Sequence, residues 1–173
     1  IADLVYTGIG QTPSPAVQDG TTVLVVDTDY TLSYVDNINV GTATVTVTGI
    51  GNYSGTKDVT FDITLAPLTI TADDTTKEFG EVDPSLTVSY AGFVNGEDQE
   101  DLIGTLAVSR VAGESVGTYA ITASGFTSTN YALTYTAGTF TITSKSVTDT
   151  DITVAPIADL VYTGIGQTPS PAV

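Results

Sequence analysis

The residues that could carry out acid–base chemistry form one acidic cluster: Glu97, Asp98, Glu100 and Asp101. Two carboxylates at a set separation are the catalytic groups of glycoside hydrolases. Acids are also stabilised at the start of a helix by the helix dipole, and this cluster directly follows the turn sequence Asn95-Gly96. We interpret the cluster as the beginning of one short helix near residues 97–102, and we expect no enzymatic activity.

Two Asp-Thr-Asp sequences could place paired carboxylates on one face of a strand and so bind Ca²⁺. Calcium prefers several oxygen ligands in a fixed turn, and neither sequence carries the glycine and terminal glutamate of an EF-hand loop. We keep a calcium site as an alternative to ordinary solvated carboxylates, and otherwise expect no cofactor and no catalytic residue. The candidate ligands are Asp27, Asp29, Asp149 and Asp151.

Three lysines, Lys57, Lys77 and Lys145, could form an intramolecular isopeptide bond with Asn or Asp. Such a bond requires a buried lysine beside a carboxylate. The neighbours of Lys57, Thr56 and Asp58, are polar and favour an exposed side chain. An isopeptide therefore stays a minor alternative.

The overall composition excludes several classes of function. The chain of 173 residues has no His and no Cys, which removes Ser-His-Asp triads, Cys-His pairs and ordinary zinc sites. Four basic residues against 20 acidic ones give a net charge of −16, which is unsuited to binding nucleic acid or an anionic membrane. We expect no nucleic-acid partner and no membrane insertion. The absence of the oxidation-prone residues Met, Cys and Trp favours a location outside the cell.

Nearly all of the chain has the pattern of β-strands. Apolar residues alternate with Thr in segments such as 42–48, 59–64 and 139–143, and Thr, Val, Ile and Tyr favour a pleated, half-buried surface. Turn sequences such as Asp19-Gly20 and Asn95-Gly96 separate these segments. The pattern predicts a mostly β fold.

An internal repeat sets the domain organisation. Residues 157–173 are identical to residues 1–17, which is the signature of a tandem array. Within the repeat, two diverged halves share Asn-Tyr and Phe-x-Ile-Thr motifs. We predict one β-rich module over residues 1–64, a second over 65–143, and the start of the next repeat over 144–173. The expected core residues are Val45, Val47, Phe61, Ile63, Leu86, Val88, Tyr119, Ile121, Phe140 and Ile142.

The register of the repeat predicts a strand that opens each module. Leu68-Thr69-Ile70-Thr71 opens the second module, and Ile152-Thr153-Val154 opens the next repeat, so the first module is expected to lack its opening strand. Two explanations stay open: the chain is a window of a longer array, or neighbouring chains complete each other by strand addition. The residues predicted to form this inter-module or inter-subunit strand are Ile152, Val154, Ile157, Leu160 and Tyr162.

The second module resembles the MBG ("mostly β-grasp") repeats of large bacterial surface proteins. The matching motifs are Lys77-Glu78-Phe79-Gly80 with Asp83-Pro84, Gly92-Phe93-Val94-Asn95-Gly96, Gly117-Thr118-Tyr119, Asn130-Tyr131 and Phe140-Thr141-Ile142-Thr143. Residues 1–64 resemble a second widespread surface repeat, through Tyr6-Thr7-Gly8, Asp19-Gly20-Thr21-Thr22, Asp29-Tyr30-Thr31 and Asn52-Tyr53. These resemblances imply tandem β-grasp-like modules of adhesins, S-layer-associated proteins or biofilm-matrix proteins, on the bacterial surface or outside the cell.

The function expected on these grounds is a non-catalytic structural repeat that gives length and stiffness to an extracellular stalk or fibre. Its partners would be neighbouring copies of the same repeat. One alternative is an adhesive module that binds a glycan or surface ligand through loops and exposed tyrosines, and a second is head-to-tail joining of subunits. The tyrosines relevant to adhesion are Tyr6, Tyr30, Tyr34, Tyr53 and Tyr90.

Overall fold

The computed structural model describes residues 1–155, 162 and 164–166, and within these residues the chain is almost entirely β-structure. This confirms the mostly β fold class. The strands are β1 (Leu4–Val5), β2 (Gln18–Asp19), β3 (Thr22–Val23), β4 (Tyr30–Val35), β5 (Gly41–Gly49), β6 (Thr56–Thr64), β7 (Ala66–Ala72), β8 (Thr75–Glu78), β9 (Val88–Ala91), β10 (Ile103–Arg110), β11 (Gly117–Thr127), β12 (Tyr131–Thr136) and β13 (Gly138–Thr143).

Residues 1–64 form a four-stranded sheet in the order β1-β6-β5-β4, with a small β2-β3 hairpin beside it. Strands β4, β5 and β6 are antiparallel neighbours, as sequential strands joined by short turns should be. Strand β1 instead runs parallel to β6, with Leu4 opposite Ile63 and Val5 opposite Thr64. The segment after β1 is thereby brought to the end of the sheet where β6 passes into the second module.

Residues 66–143 form two sheets that pack on each other, β10-β11-β13-β8 and β12-β7-β9. Strand β7, which contains the predicted opening strand at residues 68–71, lies in the middle of its sheet, parallel to β12 and antiparallel to β9. Strand β8 runs parallel to β13, in the same way that β1 runs parallel to β6. Only Leu65 separates β6 from β7.

The expected short helix is a single 3₁₀ turn over Gln99–Asp101. Asp98 caps it: its side chain accepts a hydrogen bond from the Glu100 N–H at 2.7 Å, while the Asp98 N–H donates to Asp101 Oδ2 at 2.9 Å. The turn ends at Leu102, because the alternating pattern of β10 begins at Ile103. Capping therefore accounts for Asp98 and Asp101 in the acidic cluster.

The largest group of buried residues runs through both modules. Ala43, Phe61 and Ile63 of the first module belong to the same cluster as Leu68 and Ile70 of the second. A smaller cluster around Ile121, Phe140 and Ile142 lies deeper in the second module. Six of the ten expected core residues are buried: Val45, Phe61, Ile63, Ile121, Phe140 and Ile142. The other four are half-buried: Val47, Leu86, Val88 and Tyr119.

Candidate functional site

Side-chain contacts between the two modules centre on Tyr6, Glu97 and Tyr131, which we call the junction triad. The Tyr6 hydroxyl donates to Glu97 Oε1 at 2.6 Å, and the Tyr131 hydroxyl donates to Glu97 Oε2 at 2.5 Å. Tyr131 also accepts a hydrogen bond from the Val94 N–H at 3.1 Å. One carboxylate is thus shared by hydroxyls of both modules, and hydrogen bonds to a charged group are the strong ones.

The rings of the junction triad pack edge to face. Tyr6 and Tyr131 have ring centroids 5.6 Å apart with an interplanar angle of 84°, and Phe93 meets Tyr131 at 5.5 Å and 82°. Tyr90 extends the stack, 5.6 Å from Phe93. Edge-to-face pairs contribute about 0.5–1.5 kcal/mol each beyond the area they bury. The junction is therefore held by packing and by directional hydrogen bonds together.

Burial and the neighbouring carboxylate raise the pKa of both junction tyrosines. Desolvation is the largest cause at Tyr6, followed by the hydrogen bond to Glu97, and the pKa rises from 10.0 to about 12. The same two causes, in the same order, raise the pKa of Tyr131 to about 12. Both hydroxyls are consequently protonated donors over the physiological pH range.

Hydrogen bonds of asparagine side chains surround the triad. The Val40 N–H donates to Asn130 Oδ1 at 3.1 Å, and Asn130 Nδ2 donates to Asn39 Oδ1 at 3.1 Å. Asn95 Nδ2 donates to the carbonyl of Gly8 at 3.1 Å. Gly8 has φ +75°, and a Cβ at this position would lie 2.7 Å from the Asn95 Cβ. The close approach of the two modules therefore requires glycine here.

The structure gives most acids of the cluster near residues 97–102 a structural role. Glu97 accepts two tyrosine hydroxyls, and Asp98 and Asp101 cap the 3₁₀ turn. Glu100 is exposed. The group therefore stabilises the turn and joins two modules.

The calcium candidates lie in two separate turns. Asp29 Oδ2 accepts the Val25 N–H at 2.8 Å, and Asp151 Oδ2 pairs with Lys145 at 3.1 Å. Asp149 Oδ1 accepts the Asp151 N–H at 3.2 Å, and Asp27 is exposed with φ 61°. Within the described part of the chain, no three His, Cys, Asp or Glu side chains are grouped to hold a metal ion. Calcium binding stays a prediction.

Lys77 is buried, with 6% of its surface exposed, and it belongs to a charge network rather than an isopeptide. Its Nζ donates to Asp83 Oδ1 at 2.6 Å and to Glu114 Oε2 at 2.5 Å. Arg110 binds the opposite oxygens of both carboxylates, Asp83 Oδ2 at 2.7 Å and Glu114 Oε1 at 2.5 Å. The arginine therefore closes a ring of two cations and two anions.

The charge states in this ring oppose amide formation. Hydrogen bonds from Arg110 and Lys77 lower the pKa of Asp83 to about 2. Hydrogen bonds to Asp83 and Glu114 raise the pKa of Lys77 above its ordinary value. Condensation needs a neutral amine, whereas here the amine is held charged and the carboxylates ionised. The network instead ties β8 and β10 to the loops that carry Asp83 and Glu114.

The five tyrosines considered for adhesion do not form an exposed aromatic cluster. Tyr6 and Tyr30 are buried, and Tyr34, Tyr53 and Tyr90 are half-buried. The Tyr34 hydroxyl donates to the Pro13 carbonyl, and the Tyr90 hydroxyl donates to Gln99 Oε1. The adhesive function through exposed tyrosines stays a prediction.

The residues predicted for the inter-module strand fall at the end of the described chain. Ile152 and Val154 are exposed and outside any strand, and Tyr162 is also exposed. Ile157 and Leu160 lie outside the described residues. The first copy of the same sequence is described: there Leu4 belongs to β1 and Tyr6 is buried in the junction. The strand itself stays a prediction.

Sequence reasoning singled out each member of the junction triad but not their contact. Tyr6 and Tyr131 stood in separate motifs, and Glu97 in the acidic cluster. The three meet because β1 runs parallel to β6 and because β12 begins at Tyr131 beside β7.

Comparison with known proteins agrees with this architecture. The family model described as the MBG domain (YGX type) matches residues 68–141. No curated protein matches the chain. In the described residues, no helix is long and apolar enough to cross a membrane. The match spans β7 to β13 almost completely, and we therefore call residues 66–143 the MBG module. MBG domains are a non-catalytic, repeat-type family that occurs in surface proteins.

Proposed function

We propose that the chain is a structural repeat of an extracellular bacterial stalk or fibre, in which the junction triad holds successive modules in a fixed orientation. The observation that carries the proposal is the continuous core across the junction, with Tyr6 buried against Tyr131 and both hydroxyls on Glu97. A module attached only by a loose linker would not bury an aromatic ring of its neighbour.

The remaining features support a role in length and display. The internal repeat supplies successive copies of the same pair of modules. The net charge of −16 keeps such a rod soluble and resists its collapse. The partners are neighbouring copies of the repeat, and no enzymatic activity, nucleic acid or membrane insertion is part of the proposal.

The stiffness of the junction tests this function. Because the chain contains no cysteine, spin labels can be attached at two introduced cysteines that replace the exposed residues Thr60 of β6 and Ser109 of β10. A pulsed electron-spin distance measurement should give one narrow population in the unmodified background. Tyr6→Ala should broaden it, while Tyr34→Phe should not, because Tyr34 contacts Pro13 within its own module. A broad distribution in the unmodified background would overturn the stalk function.

A further inference from the structure

The far end of the MBG module repeats the structural position that forms the junction. In the first module, β1 runs parallel to β6 and the Tyr6 N–H then donates to the Thr64 carbonyl at 2.8 Å. In the MBG module, β8 runs parallel to β13 and the Phe79 N–H donates to the Thr143 carbonyl, also at 2.8 Å. Phe79 therefore stands where Tyr6 stands.

A second pair of positions agrees with the first. Gly41 lies opposite Ile63 at the start of β5, and Gly117 lies opposite Ile142 at the start of β11. Val40 and Val116, the residues just before these glycines, therefore correspond. Val40 packs into the shared core and donates its N–H to Asn130. Val116 has 56% of its surface exposed.

The far end of the MBG module is thus an uncovered copy of the surface that the junction covers. Tyr6 is 5% exposed, whereas Phe79 is 49% exposed. An apolar groove opens beside Phe79. Its lining residues are Phe79, Gly80, Val116, Ser144, Lys145 and Ile152. The linker that leads to the repeated sequence starts at this groove, because Ser144, Lys145 and Ile152 belong to its wall.

The complementary surface exists on the first module, at the end away from the junction. At the junction, Asn130-Tyr131 supplies the acceptor for the Val40 N–H and the ring that meets Tyr6. The corresponding pair in the first module is Asn52-Tyr53, in the turn between β5 and β6. Asn52 is exposed, and the Tyr53 hydroxyl lies 3.5 Å from Asp19 Oδ2, as that of Tyr131 lies beside Glu97.

We propose that the far end of the MBG module, at Phe79 and Val116, is a docking surface for Asn52-Tyr53 of the next copy of the first module. This inference rests on the proposed stalk function. In the docked arrangement the Phe79 ring packs against Tyr53 of the next copy, and the Val116 N–H donates to the Asn52 side chain. Because phenylalanine has no hydroxyl, this second junction lacks the shared carboxylate of the first, and it is the weaker of the two.

The segments that join the modules at the two junctions differ in length, in agreement with a weaker second junction. Leu65 alone joins the modules at the first junction, whereas residues 144–156 precede the repeated sequence at the second. A flexible linker of this length has an end-to-end distance of roughly 20 Å. A linker of this length keeps the two modules at a high effective concentration relative to each other. A weak docking contact is therefore sufficient to hold them together.

The test uses the full chain continued through residues 18–143 of a second copy. Two label pairs are measured separately: Thr60 with Ser109 inside the first copy, which reports the first junction, and Ser109 of the first copy with Thr60 of the second copy, which reports the second. Both pairs should give one narrow distance population. Phe79→Ser in the first copy should broaden only the second pair. Tyr53→Ser in the second copy should do the same from the other side.

Val82→Ser is the matched control, since Val82 is 91% exposed near Phe79 but does not line the groove. It should leave both pairs narrow. A broad second pair beside a narrow first pair in the unmodified tandem chain would overturn the docking proposal while the stalk function stands. A broad first pair would overturn both. Narrow second pairs in the Phe79→Ser and Tyr53→Ser variants would also contradict the proposal.

Discussion

The end of the first module that meets the MBG module (the near end) and the far end of the MBG module carry the same backbone arrangement but differ in what covers it. At the near end, Tyr6 of the first module is buried against Tyr131 and hydrogen-bonded to Glu97. At the far end, Phe79 occupies the corresponding position and is half exposed. The aromatic residue at this position is buried where a neighbouring module covers it. Comparing the two ends therefore separates the stability that comes from the contact between modules from the stability of the local fold.

The largest difference between the two ends should appear when the aromatic ring is removed. Tyr6→Ala deletes a buried ring and leaves Glu97 with one donor, so we expect a loss of about 3–5 kcal/mol in the free energy of unfolding. Phe79→Ala in the same 173-residue chain should cost about 1 kcal/mol or less, because the ring is half exposed. Urea unfolding measures both, and equal losses would contradict the comparison.

High pH should weaken the near end selectively. The folded-state pKa of Tyr6 and of Tyr131 is about 12, above the ordinary 10.0, so the protonated hydroxyls stabilise the fold fully below pH 10. That contribution is lost as the pH rises from 10 to 12 and should amount to at most about 3 kcal/mol for each tyrosine. Unfolding measured across this range should show the loss, and Tyr6→Phe should make it smaller. An unchanged profile in Tyr6→Phe would contradict the role of the hydroxyl.

Alanine at the glycines that follow Tyr6 and Phe79 should separate the cost of backbone strain from the cost of a lost contact between modules. Gly8 has φ +75° with Asn95 in the way of a Cβ, and Gly80 has φ +88° with open space around it. Both substitutions should cost about 1–2 kcal/mol for the positive φ. Gly8→Ala should cost roughly 1–3 kcal/mol more, because the modules must move apart. Thermal unfolding of both variants provides the measurement, and similar midpoints would argue against a close junction.

The smallest expected difference concerns the two Asn-Tyr turns. Asn130→Ala removes the acceptor of the Val40 N–H across the junction and should cost about 1–2 kcal/mol. Asn52→Ala changes an exposed residue and should alter stability by about 0.5 kcal/mol or less. In a tandem chain with a docked second junction, Asn52→Ala in the second copy should become costly as well. Hydrogen exchange at the Val40 amide should become faster in Asn130→Ala, and exchange at the Val116 amide should become faster in Asn52→Ala of the tandem chain.

The sequence alone was informative about strands and less so about contacts between them. Alternation at residues 42–48 and 139–143 predicted strands that are present, because the period of two is a local property. The short helix near residues 97–102 is only a 3₁₀ turn, since the strand pattern resumes at Ile103. The junction triad was not predictable, because it depends on parallel pairing of strands far apart in the sequence.

The charge network around Lys77 was likewise predictable only in its local features. Lysine burial was a condition for an isopeptide, and Lys77 does meet it. The position of Arg110 on a distant strand decides the outcome, since it holds both carboxylates ionised. As the pH falls below 3.8 towards 2, the stabilisation from ionised Asp83 should be lost, and with it part of the stability of the MBG module.

The central claim is that the two modules form one rigid unit through the junction triad. Residual dipolar couplings of backbone amides over residues 1–64 and 66–143 test it most directly, because a rigid pair of modules aligns as one body. We predict that one alignment tensor fits both segments in the unmodified chain and that Tyr6→Ala requires two. Two different tensors in the unmodified chain would contradict the account.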